Sequence, residues 1–149
     1  MVIRIREATS ADAETLALLS GQLGYPADAP AIVRRLATIA GRGIVLVAFD
    51  PQGKVCGFAH AEPRHLLIAE PFVELAALVV SENARGSGAG ATLLSAVEAW
   101  TREQGIASVR VRSNVLRERA HRFYLREGYV EKKRQAIFLK QMHPTDSDA

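Results

Sequence analysis

A glycine-rich stretch between two apolar segments has the clearest chemical meaning in this sequence. Residues 81–94 read SENARGSGAGATLL, with a strand-like run, FVELAALVV, before them and a helix-like run after them. The first N–H groups of a helix have no partner within the helix and lie at the positive end of its dipole. Glycines let an anion approach those groups without meeting a Cβ, and Arg85 adds a charged donor. The stretch therefore predicts a phosphate-binding loop.

Three kinds of phosphate loop fit this stretch to different degrees. A Walker P-loop needs Gly-Lys-Ser/Thr at its end, and no lysine follows Gly90. A dinucleotide loop would use Gly86, Gly88 and Ala91 as G-x-G-x-x-A, but the strand that follows offers arginines where that loop needs an acidic residue. The third kind, Arg-x-x-Gly-x-Gly, is matched by Arg85, Gly88 and Gly90.

A second motif lies about 35 residues further on, within the predicted last helix. RERAHRFYLREGY fits the pattern A-x-x-F-Y-x-x-x-G-[FY] through Ala120, Phe123, Tyr124, Gly128 and Tyr129. The two motifs, with the order of predicted elements over nearly the whole chain, resemble the GNAT superfamily of N-acetyltransferases, which bind acetyl-coenzyme A. The resemblance implies an acetyltransferase; the alternative is a non-catalytic acyl-CoA-binding regulatory module on the same fold.

The resemblance implies where acetyl-CoA would bind. Its pyrophosphate is expected on the N–H groups of residues 84–90, and its pantetheine arm beside the backbone of the strand that ends at Val80. Asn114 is most simply the N-cap of the last helix, although the family often has a CoA-contacting asparagine near this point. The cofactor-binding residues expected on these grounds are Leu78, Val79, Val80, Arg85, Gly86, Ser87, Gly88, Ala89, Gly90 and Asn114.

Direct acetyl transfer requires a neutral amine and a proton donor for the departing thiolate. The resemblance assigns the proton donor to Tyr124, the second aromatic residue of the helix motif. Glu74, at the start of FVELAALVV, is the best candidate for the base, with a chain of water molecules as the alternative and His60 as a weaker one. The histidines stand singly in the sequence, so no metal site is predicted.

Substrate choice is expected in two loops, residues 24–30 and 62–72. The first resembles that of small-molecule acetyltransferases, including the aminoglycoside-acetylating relatives, and it supplies Tyr25 and Asp28 as candidate substrate contacts. The second carries Glu62 and Glu70, which would suit a cationic amine. The expected acceptor is a small molecule or an amino-acid-like amine, with a protein lysine or N-terminus as the alternative.

The elements that must position these residues follow the order βααβββαβαββ, with YVEKK and QAIFLKQ as the final strand pair. This order predicts a mixed, mostly antiparallel central sheet flanked by helices, which is the GNAT fold. We expect one domain over residues 1–142 and a polar tail over residues 143–149. The last strand has an exposed edge and the family often pairs near this region, so we expect a homodimer.

Composition agrees with a small globular enzyme. The 149 residues are 48% hydrophobic and 23% charged, and no apolar run approaches the ~18 residues that span a bilayer. Cys56 is the only cysteine, which excludes an internal disulfide and favours a cytoplasmic protein. Residues 100–149 carry eleven Lys and Arg against six Asp and Glu, without the interleaved aromatic residues typical of nucleic-acid binding. Neither nucleic acid nor a membrane is expected as a partner.

Overall fold

A computed structural model describes residues 2–113 and 117–143 of the chain. It divides into two compact units, Met1–Arg112 and Ser113–Ala149, which are described separately. The described helices and strands of the first unit are β1 (Arg4–Glu7), α1 (Ala13–Leu23), α2 (Ala29–Ile39), β2 (Ile44–Phe49), β3 (Val55–Arg64), β4 (Phe72–Val80), α3 (Ala89–Glu103) and β5 (Val109–Val111). The described part of the second unit contains α4 (Glu118–Arg126).

The five strands form one sheet in the order β1-β2-β3-β4-β5. Neighbouring strands are antiparallel except β4 and β5, which are parallel and are joined through α3. The predicted mixed, mostly antiparallel sheet is therefore confirmed. FVELAALVV forms β4 and is flanked by a strand on each side at its start, which fits its apolar character on both faces.

Helices cover both faces of the sheet. Val47 and Ala48 are neighbours on β2 and both are fully buried, although their side chains point to opposite faces. A Cβ built on Gly57 would lie 3.3 Å from Leu93 of α3, so α3 covers the face to which Gly57 belongs. α1 also contacts β3 and β4, and the burial of both Val47 and Ala48 means that both faces of the sheet are covered.

A bidentate ion pair fixes the start of the first helical region to β1. The first helical region begins as a short 3-10 turn, Ser10–Asp12, which continues into α1. Both guanidinium nitrogens of Arg6 donate to the Asp12 carboxylate at 2.9 Å, and the Thr9 N–H donates to the same carboxylate at 2.8 Å. The hydrogen bond from Arg6 is the main reason that the pKa of Asp12 is lowered.

Two predicted loops are shorter in the structure. The loop predicted over residues 24–30 ends at Asp28, because the Asp28 carboxylate accepts a hydrogen bond from the Ala31 N–H at 2.8 Å and begins α2. The loop predicted over residues 62–72 spans residues 65–71, because β3 continues to Arg64 and pairs with β4 from Phe72 onward. Glu62 is consequently a strand residue.

The prediction of a final strand pair is wrong. Residues 129–143 have no strand, and the apolar side chains of QAIFLKQ, Ile137, Phe138 and Leu139, are largely exposed. A strand is defined by hydrogen bonds to a neighbour, and two strands alone are marginally stable in water. Alternating or apolar sequence indicates an extended segment but does not supply that neighbour.

Candidate active site

The glycine-rich loop leaves β4 and turns directly into α3. A short 3-10 turn, Glu82–Ala84, follows β4, and Gly88 is the N-cap of α3. Gly86 and Gly88 have φ of 82° and 87°, which L-residues with a side chain rarely adopt. No heavy atom lies within 4 Å of the position that a Cβ would take at either glycine. The backbone turn of the loop therefore requires these glycines, and the space beside both of them is open to a ligand.

Four N–H groups of this loop have no intramolecular acceptor in the described residues. The N–H groups of Ala84, Ser87 and Ala89 are bonded within the loop, to Ser81 O, Ala84 O and Ser87 Oγ at 3.0, 3.1 and 3.3 Å. The unpaired N–H groups are those of Gly86, Gly88, Gly90 and Ala91. Unpaired donors at the positive end of a helix form an anion site. Four N–H groups are therefore available to an anion, and that of Ala91 lies outside the expected cofactor-binding residues.

The strand that leads into the loop has one open edge. β4 pairs with β3 from Phe72 to Val80 except at Ala76, where the register shifts, but β5 pairs only with Val73–Leu75 of β4. In the described residues the edge of β4 from Ala76 to Val80 therefore has no strand partner. An extended polar ligand could pair with this edge as an added strand would, and its path would lead to the unpaired donors of the loop.

Strand alternation decides which residues of β4 serve this edge. The Ser81 N–H donates to Cys56 O on β3 at 2.8 Å, and in an antiparallel pair successive residues direct their backbone groups to opposite sides. Val79 therefore faces β3, whereas the N–H and C=O groups of Leu78 and Val80 face the open edge. Of the three β4 residues predicted as cofactor contacts, Leu78 and Val80 have the suitable direction.

A pair of carboxylates lies on one face of the sheet near the start of β4. Glu74 of β4 is the direct cross-strand partner of Glu62 on β3, so both side chains point to the same face. Alternation along β3 places this face opposite the one that Gly57 presents to α3. Two like charges directly opposite each other destabilise a sheet, so this arrangement has a cost to the fold and marks the pair as a candidate functional feature.

Each carboxylate has a cationic or potentially cationic neighbour. His60 Nε2 lies 3.2 Å from Glu62 Oε2, and both side chains are about a quarter exposed or less. Arg112, just after β5, places its Nε 3.5 Å from Glu74 Oε1. The result is a cluster of two carboxylates, each beside a nitrogen side chain, His60–Glu62 and Glu74–Arg112, which we call the carboxylate cluster. His60 and Glu62 are two residues apart on one strand, and this spacing is the sequence signal that could have predicted their contact on one face of the sheet.

A cavity of about 290 Å³ adjoins the carboxylate cluster at the end of β3. Glu62 belongs to both, and the remaining lining residues are Arg42, Pro63, Arg64, His65 and Leu66. Gly43 makes this arrangement possible, because a Cβ there would lie 2.5 Å from Ala61 O and 2.7 Å from Glu62 Cγ. The sequence analysis did not identify Arg42 or Arg64 as site residues.

Tyr124 belongs to the second unit and lies in an aromatic cluster at the end of α4. Its ring makes edge-to-face contacts with Phe123 and Tyr129, with ring centroids 5.3 and 5.9 Å apart. The Tyr129 N–H donates to Tyr124 O at 2.9 Å, and Gly128, with φ of 92°, ends the helix as predicted. Burial of the Tyr124 hydroxyl raises its pKa to about 12. The hydroxyl therefore keeps its proton at neutral pH.

Four other predicted or considered residues remain: Tyr25, Asp28, Cys56 and Asn114. Asp28 caps α2, and Tyr25 is 66% exposed in the loop before it. Neither has a hydrogen bond or ion pair to the carboxylate cluster in the described residues. Asn114 lies outside the described residues. Cys56 is buried and its pKa is raised mainly by burial, so it is a small core residue rather than a reactive thiol.

Residues 2–113 and 117–143 contain no group of three or more His, Cys, Asp or Glu side chains placed to hold a metal ion. No helix in the same part of the chain is long and apolar enough to cross a membrane.

The open edge of β4 and the unpaired N–H groups at the start of α3 are features that suit an extended, phosphate-bearing ligand. Comparison with known sequences identifies the family. The sequence profile of the acetyltransferase (GNAT) family matches residues 14–129. The chain belongs to this family, and the resemblance noted in the sequence is confirmed.

Two curated relatives cover most of the chain. The aminoglycoside N(6′)-acetyltransferase type 1 of Stenotrophomonas maltophilia is 32% identical over 145 residues, which are 95% of each chain. The aminoalkylphosphonate N-acetyltransferase of Salmonella typhimurium is 30% identical over 144 residues, which are 87% of this chain and 86% of the relative.

Solved structures agree on the fold. The aminoglycoside 6′-N-acetyltransferase of Acinetobacter baumannii has a TM-score of 0.83 at 16% identity, covering 95% of this chain and 100% of its own. An aminoglycoside N-acetyltransferase crystallised with CoA has a TM-score of 0.84 at 22% identity, covering 94% of this chain and 95% of its own. These similarities confirm the predicted fold class.

Proposed function

We propose that this protein transfers the acetyl group of acetyl-CoA directly to the amine of a small molecule. Membership of the GNAT family and two relatives that are N-acetyltransferases make it an N-acetyltransferase, with acetyl-CoA as the donor. The observation that carries the proposal is the continuity of the open edge of β4 with four unpaired N–H groups at the start of α3. A ligand with an amide-containing arm and a pyrophosphate matches both features.

The donor end follows from backbone chemistry. The N–H groups of Gly86, Gly88, Gly90 and Ala91 would bind the pyrophosphate, and exposed Arg85 would add a charged contact. The amide groups of the pantetheine arm would pair with Leu78 and Val80. A backbone N–H on this edge would then polarise the thioester carbonyl, because an N–H donor stabilises the negative charge that develops on its oxygen.

The acceptor end requires an amine that has lost its proton. We assign proton removal to Glu74, directly or through water, with His60 as a second acceptor because Glu62 holds its Nε2. The amine nitrogen attacks the thioester carbon, the C–S bond breaks, and CoA leaves as a thiolate. Such a direct transfer needs no covalent enzyme intermediate.

Tyr124 is assigned as the proton donor to the thiolate. Its pKa of about 12 exceeds that of an ordinary thiol, ~8.5, by roughly 3.5 units. Complete transfer to a thiolate of ordinary pKa would therefore be unfavourable by about 5 kcal/mol. The hydroxyl is better suited to donate a hydrogen bond to the sulfur while the C–S bond breaks, when the negative charge first develops. Its contribution should consequently lie in kcat.

The acceptor proposed is a small-molecule amine, because the names of both curated relatives specify one. One relative acts on aminoglycosides and the other on aminoalkylphosphonates. Glu62 and Glu74 would attract the cationic form of such an amine. Tyr25 and Asp28 stay candidate substrate contacts, and a protein lysine or N-terminus is the alternative acceptor.

The test is release of free CoA thiol from acetyl-CoA in the presence of a panel of amines, read against the rate without amine. The panel contains an aminoglycoside, an aminoalkylphosphonate, a diamine, an amino acid and a lysine peptide. We expect turnover of at least one small amine, with the mass of the product increased by one acetyl group. Tight acetyl-CoA binding without turnover of any member would favour the non-catalytic regulatory module instead.

We also propose that the protein is a cytoplasmic homodimer. The dimer is supported by residues 130–142, a segment whose large apolar side chains are exposed in the single chain: Val130, Ile137, Phe138, Leu139 and Met142. The location is supported by a single buried cysteine, which has no disulfide to form within the chain. Light scattering should report twice the chain mass at tens of micromolar, and a monomer at that concentration would contradict the dimer. Cell fractionation tests the location.

A further inference from the structure

The cavity beside the carboxylate cluster combines both signs of charge in a small volume. Glu62 is its one acidic lining residue, whereas Arg42 and Arg64 contribute two guanidinium groups. In the described residues neither arginine side chain has a hydrogen bond or ion pair, unlike Arg6, Arg112 and Arg134, which have carboxylate partners at 2.7–3.5 Å. Two unpaired guanidinium groups around one cavity form a site for an anion.

The local backbone brings the first arginine to this position. Gly43 packs against the end of β3 so closely that any Cβ would clash with Ala61 O and Glu62 Cγ. The turn before it is fixed by the Arg42 N–H, which donates to Ile39 O at 2.8 Å. Arg42 is thus held beside Glu62 by a contact that only glycine permits, and Arg64 follows two residues after Glu62 on the same strand.

We propose that this cavity is an anion subsite and that the acceptor is a zwitterionic amine. This inference rests on the proposed acetyltransferase function and specifies its substrate class. Arg42 and Arg64 bind a phosphonate or carboxylate group, while the amine end of the same molecule lies toward Glu62 and Glu74. A volume of about 290 Å³ is at the lower end of small-molecule sites and is sufficient for a molecule of amino-acid size.

The first arm of the test compares matched acceptors on the wild-type enzyme. The probes are 3-aminopropylphosphonate, 4-aminobutyrate, 3-amino-1-propanol and the aminoglycoside fragment neamine. We expect kcat/KM to be about 10-fold or more higher for the two anionic amines than for aminopropanol, because a charged hydrogen bond contributes about that factor. The ratio between phosphonate and carboxylate identifies the anion that the subsite prefers. Equal kcat/KM for aminopropanol and both anionic amines would overturn the inference and leave the proposed function intact.

The second arm removes the guanidinium groups. The double variant Arg42→Gln/Arg64→Gln should raise KM for the preferred anionic amine about 10-fold or more, and leave kcat/KM for aminopropanol and KM for acetyl-CoA within about 2-fold. Arg102→Gln is the control, because it also replaces an exposed arginine with glutamine but lies at the end of α3, outside the cavity. An unchanged KM in the double variant would overturn the assignment of these arginines.

A binding measurement tests the anion subsite separately from the acetyltransferase activity. Titration calorimetry with methylphosphonate, which has no amine, should show binding to wild type and to Arg102→Gln, and loss of binding in the double variant. If no amine in the panel is acetylated but this pattern holds, the proposed function fails and the subsite stands. If methylphosphonate binds wild type and double variant equally, or binds neither, the subsite is refuted.

Discussion

The two ends of the proposed active site are encoded in different ways. The donor end is made of backbone groups from one short stretch, residues 78–91. Two of its glycines, Gly86 and Gly88, have the positive φ values that the turn of the loop requires. The acceptor end is made of side chains that are brought together by the register of the strands. Glu62 and Glu74 are opposite each other on β3 and β4, and Arg112, which follows β5, forms an ion pair with Glu74. A backbone site leaves a local sequence motif, whereas a side-chain site depends on pairing between distant segments.

The largest expected effect breaks the donor end. Gly88→Asp places a carboxylate beside the unpaired N–H groups, and each lost anion–amide contact is worth about 1.5–3 kcal/mol. We expect acetyl-CoA affinity to fall by about 10²-fold or more in calorimetry. Gly105→Asp is the matched control, because Gly105 also has positive φ, 71°, and open space, but lies beyond the other end of α3.

A second control separates charge from backbone strain at the same position. Gly88→Asn has a nearly identical shape to Gly88→Asp and no charge, so it should lose less affinity. Wild-type acetyl-CoA affinity in a folded Gly88→Asp protein would remove the phosphate-loop assignment.

The next effect concerns chemistry rather than binding. Tyr124→Phe removes one oxygen and keeps the ring that packs on Phe123 and Tyr129. We expect kcat to fall about 10²-fold with KM for acetyl-CoA little changed, as for a positioned proton donor. Tyr129→Phe makes the same change in the neighbouring ring and should leave kcat within about 2-fold. A fall of only about 2-fold in Tyr124→Phe would mean that the hydroxyl does not stabilise the departing thiolate, and a large loss of acetyl-CoA affinity would mean that the hydroxyl anchors the cofactor.

The smallest effect is on stability at alkaline pH. The pKa of Tyr124 is raised from 10 to about 12 in the folded state. The protonated hydroxyl therefore contributes to the free energy of unfolding below pH 10, and this contribution is lost as pH rises toward 12. Between pH 9 and pH 11 wild type should lose about 1 kcal/mol more unfolding free energy than Tyr124→Phe, measured by urea denaturation. An equal loss in both proteins would place the Tyr124 hydroxyl in contact with solvent.

Much of the fold was predictable because its elements have strong local signals. Gly41 and Gly128, with positive φ, lie just beyond the ends of α2 and α4, and the strand-like run FVELAALVV forms β4. The final strands were not predictable in this way, since QAIFLKQ has strand-like composition but no partner strand in the described part of its unit. The ends of two loops differ from their predicted positions. Asp28 begins α2 as its cap, and Glu62 lies in β3 opposite Glu74; both depend on hydrogen bonds that composition does not specify.

The same distinction applies to the site. Arg85, Gly86, Gly88 and Gly90 could be found from their motif, and the structure adds only which N–H groups are unpaired. Glu74 was a candidate on its own, but its pairing with Glu62 and Arg112 required the register of three strands. Arg42 could not be placed at all, because its position depends on the close approach of Gly43 to β3.

The most direct test of the account is amide hydrogen exchange of β4 and the loop, followed by NMR with and without CoA. Without ligand, Val79 should be protected by its bond to β3, whereas Leu78 and Val80 should exchange rapidly at the open edge. Saturating CoA should slow exchange at Leu78 and Val80, and shift the N–H signals of Gly86, Gly88, Gly90 and Ala91. CoA that binds, by calorimetry, while leaving exchange at Leu78 and Val80 and these four signals unchanged would contradict the placement of the donor along β4 and at the start of α3.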